Sequence, residues 1–139
     1  MANFKALFAV LFLSKLIVLT PQAVDLGPEW VEVNLSAPLS AITPGAVLLV
    51  DVTNVPGVQR DFAALERMFP RGAVEAQLFP KTGSAINLNS SGGVALSKSS
   101  VELLVYSTDM PVNVDFTRLR IRSSLNLKHV SVRWQNYSK

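Results

Sequence analysis

From Trp30 to the C-terminus the apolar residues come in short runs, alternating or continuous, and nearly every run stops at Pro, Gly, Asn or Ser. That punctuation limits the chain to an antiparallel β fold, because such runs can cross a sheet once but are too short for core helices. Trp30–Ser36 alternates, with Val31, Val33 and Leu35 on one face and Glu32 and Asn34 on the other. Ala46–Thr53 is apolar on both faces, as expected of a central strand covered on both sides. Further strands are expected at Ala73–Phe79, Ser84–Leu88, Gly93–Ser97, Val101–Ser107, Val112–Ile121 and Leu125–Gln135, with Gly92-Gly93 read as a hairpin turn. One helix interrupts them near 61–69: Phe62, Leu65 and Phe69 keep a helical spacing, Asp61 can cap the start, and Pro70 ends it.

The expected fold is therefore mainly β: an antiparallel β-sandwich of about eight strands, immunoglobulin-like or a related small barrel. Pro44–Pro56 resembles the early strand of immunoglobulin-like modules in bacteria, a resemblance that covers this stretch alone. Apolar residues make up 49% and charged residues 17% of the chain, which excludes disorder. Cysteine is absent, so neither disulfides, thiolate metal sites nor thiol nucleophiles are available. The single histidine rules out a His-cluster metal site, and no cofactor is expected.

The N-terminal segment reads as an export signal. Lys5 precedes the short apolar stretch Ala6–Leu13, and Ala23 is a small residue at a plausible cleavage point. Lys15 interrupts the apolar stretch, which is also shorter than a spanning helix requires. Residues 1–23 are thus expected to be a signal peptide or an uncleaved N-terminal anchor, and 24–139 a single exported domain, periplasmic or extracellular. A membrane would be touched only through residues 1–20, if they are retained.

Charge is uneven along the chain. Residues 24–117 hold five Lys/Arg against ten Asp/Glu, whereas 118–139 hold six cations and no acid. Near-neutrality of the whole domain argues against nucleic acid as a partner. The last two apolar runs suggest where the cations lie. Val112, Val114 and Phe116 share one parity and Leu119 and Ile121 the other; Leu125 and Leu127 then give way to Val130, Val132 and Trp134. A hairpin with the loop Arg122-Ser123-Ser124 would pair Ile121 with Leu125, Leu119 with Leu127, Phe116 with Val130, Val114 with Val132 and Val112 with Trp134.

That register places Arg118 opposite Lys128, with Arg120 on the same face. Like charges so placed need nearby acids, for which Glu75, Glu102 and Asp109 are available, or an anionic ligand. Arg118, Arg120, Arg122 and Lys128 are accordingly the expected ligand-binding residues, for an acidic glycan or protein. The two halves of such a hairpin bury opposite faces, so it either turns a corner between sheets or projects Leu119, Ile121, Leu125 and Leu127 toward a partner.

Sequence motifs for an enzyme are lacking: there is no phosphate-binding glycine loop, zinc-protease helix or nucleophile elbow. The hairpin would bring Asp115 opposite Ser131 near His129, but also diagonal to Arg133, where an ion pair is the simpler outcome. Asp51, in an apolar strand, is expected to cap the turn at Thr53-Asn54. Sequons at Asn34, Asn89 and Asn136 matter only in a glycosylating secretory path. The function expected is a non-enzymatic exported binding module acting through the basic C-terminal residues. The alternative is a structural or accessory subunit of a cell-envelope assembly.

Overall fold

A computed structural model describes residues 22–137. Nine strands and one short helix occur in this region, in the order β1 (Gln22–Leu26), β2 (Val31–Val33), β3 (Leu39–Ser40), β4 (Gly45–Asp51), α1 (Phe62–Met68), β5 (Val74–Pro80), β6 (Ile86–Leu96), β7 (Val101–Tyr106), β8 (Asp115–Ser123) and β9 (Leu127–Tyr137). All pairings are antiparallel. The sheet runs β1-β9-β4-β7-β6-β5-β8-β2, with β3 also on β8, and curls until it is nearly closed into a barrel. The expected export segment lies outside the described residues except for Gln22 and Ala23, which belong to β1. Among the described residues no helix is long and apolar enough to cross a membrane.

Asp61 caps α1 as its position suggests, accepting from the Ala64 amide at 3.0 Å. Leu65 and Phe69 are buried, but Phe62 is 59% exposed, so the helix contributes to the core through its second half. In β4, Ala46–Val50 are all buried, as the two-sided apolar run predicts. Asp51 accepts from the Thr53 amide at 2.9 Å and from the Thr53 hydroxyl, which is the capping role expected of it. Gly92-Gly93 does not turn the chain. The segment is one strand, β6, and its register against β7 slips between Ser90 and Val94 in a bulge.

The largest departure concerns the last two strands, which do not form a hairpin. β8 pairs with β5, β2 and β3, whereas β9 pairs with β4 and β1. The backbone around the link is satisfied elsewhere: Ser123 N donates to Gly27 O at 2.8 Å, and Ser124 N to Ala73 O at 2.9 Å. The chain therefore bends here without reversing. Leu119, Ile121, Ser123 and Leu127 are buried and Leu125 is half-buried against the core, so a single inward alternation runs straight through the bend.

The parity switches have a different origin from the one the hairpin implied. Phe79 pairs with Arg118 but Pro80 pairs with Phe116, which leaves Thr117 as an extra residue. Val24 pairs with Val130 and Leu26 with Leu127, so Lys128 and His129 together oppose Asp25. Each switch is a β-bulge that returns the apolar residues to the same buried face. At the second, His129 takes a positive φ of 55° and its amide donates to Asp25 Oδ1 at 2.9 Å.

Residues 22–33 follow the bent strand on one side from Leu119 to Val132. β1 lies along β9 from Gln22↔Val132 to Leu26↔Leu127, and β2 lies along β8 from Val31↔Ile121 to Val33↔Leu119. The two ends of the sheet are thus successive pieces of one chain segment. A second tie crosses the seam at β3, where Leu39 pairs with Phe116 of β8. On the β9 side, Trp134 Nε1 and Asn136 Nδ2 donate to Ser40 O at 3.0 and 3.3 Å, and Asn136 Oδ1 accepts from Ile42 N at 2.7 Å. Trp134 and Phe116 are both fully buried beneath this tie.

Candidate functional site: a cation–aromatic ladder

The three arginines of β8 alternate along the strand and share its outer face. Their cross-strand partners on β5 are Phe79 for Arg118, Gln77 for Arg120 and Glu75 for Arg122. On the other side, Glu32 of β2 stands opposite Arg120, and Trp30 immediately precedes β2. Because directly paired residues of an antiparallel sheet project to one side, these groups meet.

They meet in a fixed order. The Arg122 guanidinium lies over Trp30 at 4.3 Å from the ring centroid, and Arg120 lies over the same ring at 4.5 Å. Arg120 also lies 5.2 Å from Phe79, and Arg118 completes the series at 4.8 Å from that ring. The sequence of groups is Arg122, Trp30, Arg120, Phe79, Arg118. Each contact is favourable because the electron-rich ring face attracts the cation, by about 0.5–1 kcal/mol at exposed positions.

The ends of this ladder are neutralised and its centre is not. Arg118 is paired with Glu32, and Arg122 Nε reaches Glu75 Oε1 at 3.2 Å. Arg120 has a neutral partner, its Nε donating to Gln77 Oε1 at 2.6 Å. Of the acids expected to balance these cations, Glu75 does so. Glu102 instead binds Arg133, with Nε–Oε2 at 2.8 Å and Nη2–Oε1 at 2.9 Å. The residues that sequence reasoning missed are Glu32, Trp30 and Phe79. Their alternation is visible in the sequence, but the strands they neighbour are not.

The remaining expectations for the site need correction. Lys128 lies on β9, exposed, and faces the β1 edge; it is neither opposite Arg118 nor part of the ladder. Leu119, Ile121 and Leu127 belong to the core and Leu125 packs against it, so they form no projecting tip. They point inward because one alternation runs unbroken through the bend at 124–126 and faces the core on both sides of it. Asp115 pairs with Ser40 and Ser131 with Asp51 and Ala23, so Asp115 and Ser131 are not opposite one another. His129 is highly exposed beside Asp25, at 3.9 Å. Asn136 is buried as the clip to β3, which leaves no room for a glycan at that sequon.

Among the described residues no group of three His, Asp or Glu is placed to hold a metal ion. Comparison with protein-family models, curated proteins and solved structures returns no match.

Proposed function

We propose that the chain is an exported, non-enzymatic binding module that engages an anionic partner through the ladder face of β2, β8 and β5. The observation that carries this reading is Arg120: a half-buried guanidinium held between two rings whose hydrogen-bonded partner is a neutral amide. Stacking fixes the plane of the guanidinium without using its outer N–H donors, so little side-chain freedom is lost when an anion binds. Arg118 and Arg122 flank it at roughly 7 Å along the strand, the spacing of alternate strand residues. Export is supported by the sequence of residues 1–23.

The test is a titration with dextran sulfate followed by tryptophan fluorescence, since Trp30 is half-exposed while Trp134 is fully buried. Binding is expected to weaken steeply as salt is raised and to fall at least about tenfold in Arg118→Ala/Arg120→Ala, a loss of about 1.4 kcal/mol. Wild-type affinity in that double variant would remove the ladder from consideration. Salt-insensitive self-association would point to an assembly subunit using the β1 edge instead.

A further inference from the structure

The ladder face continues onto the neighbouring strands. Gln77 stands opposite Asn87 and Glu75 opposite Asn89 on β6, and Asn89 stands opposite Tyr106 on β7. Gln77 Nε2 donates to Asn87 Oδ1 at 2.8 Å, so the amide that holds Arg120 is itself tied to this second region. Here the surface sinks into a shallow cleft lined by Arg71, Asn87, Asn89, Ser91, Tyr106 and Thr108. No carboxylate lines it. The Oδ1 atoms of Asn87 and Asn89 are occupied, the latter by the Ser91 hydroxyl at 2.7 Å, while both Nδ2 groups donate to no described residue.

Two chemistries therefore lie side by side on one face: a cation held ready beside a cleft of amides, hydroxyls and one phenol, with Arg71 also in its lining. Resting on the reading that the ladder binds an anion, we infer that its partner is an acidic polysaccharide, with carboxylates on Arg120 and its neighbours and hydroxyls in the Asn87–Asn89–Tyr106 cleft. A sugar chain needs both kinds of contact at once. An acidic protein surface would be met by several further cations around a dry apolar centre, whereas the cleft offers Arg71 alone, set among polar groups. Single-stranded nucleic acid would stack its bases on free rings, but Trp30 and Phe79 are faced by guanidiniums. From β7 to β2 the face crosses five neighbouring strands, roughly 19 Å, which suits an extended chain of several sugar units.

The experiment titrates the full chain with oligogalacturonate, polyglutamate and neutral dextran. Oligogalacturonate is expected to bind, losing at least about tenfold in Arg120→Ala and about fivefold in Asn89→Ala/Tyr106→Phe, with dextran not binding. Polyglutamate, where it binds, should respond to Arg120→Ala alone. Thermal unfolding of each variant confirms that the fold is retained. If the cleft variant leaves oligogalacturonate affinity unchanged while Arg120→Ala abolishes it, the polysaccharide inference falls and the anion reading survives. If Arg120→Ala changes neither ligand, both fall.

Discussion

Two outer faces of the same nearly closed sheet use arginine in opposite ways. On the β9-β4-β7 face, Arg133 stretches across the central strand and closes a two-pronged ion pair with Glu102, while its Nη1 donates to Gln135 at 2.6 Å. Beneath lies Leu49, which pairs with Arg133 on one side and Leu104 on the other and is completely buried although it points away from the interior cluster. There the arginine is a cover: its stem shields apolar surface and its charge is spent. On the β2-β8-β5 face the arginines rest on rings, and the middle one keeps its charge. The Arg133 guanidinium is saturated by Glu102 and Gln135, whereas that of Arg120 is stacked and hydrogen-bonded through Nε to a neutral amide.

The comparison can be broken at several points. The largest effect should come from Glu102→Ala, which strands a mostly buried cation; a loss of about 3 kcal/mol is expected in urea unfolding, with anion binding unchanged. A loss below about 1 kcal/mol would mean that Arg133 is as open as Arg120. Trp30→Ala removes a ring shared by Arg120 and Arg122 and should cost about 1–2 kcal/mol in the same assay. It should also weaken dextran sulfate binding several-fold, because the freed guanidiniums must then be ordered by the ligand. Full affinity in this variant would show that stacking does not pre-position the site. Lys128→Ala should be nearly silent, within about 0.5 kcal/mol in stability and twofold in binding, since it is exposed and off the face. A clear loss of binding there would extend the site beyond the ladder.

How far the sequence carried these conclusions depends on the kind of information each element holds. The strands over β4, β5 and β7 and the helix at 61–69 were legible because their patterning is local. β1 and β3 were not: Gln22–Leu26 is five residues beside a presumed cleavage point, and Leu39-Ser40 has no length over which to alternate. The sequence pattern does not decide whether β8 pairs with β9, for a specific reason. Leu119, Ile121, Leu125 and Leu127 keep one parity, and a three-residue loop and an unbroken bent strand preserve that parity equally well. The parity switches at Thr117-Arg118 and Lys128-His129 read in the sequence as a change of buried face, whereas an extra residue at each restores the original one. For the site, the arginines of β8 could be singled out from charge alone. Glu75 could be named among the candidate acids, but Trp30, Glu32 and Phe79 could not, because they become neighbours of β8 only through pairing across some 40 to 90 residues of chain.

The way the seam is joined sets a schedule for folding. Gln22 aligns with Val132 and Gly45 with Tyr137, so β1 and β4 wait for β9, about a hundred residues further along the chain, to appear. Until β9 is available, β4 lacks a neighbour and β1 has none at all, and contacts between such distant parts of a chain form late. A growing polypeptide of this sequence can build β5 to β7 early, but the seam seals only once β9 has been made. Deleting Gln22–Leu26 of β1 or Trp134–Tyr137 of β9 should therefore do more harm than an insertion of similar length in the 81–85 loop.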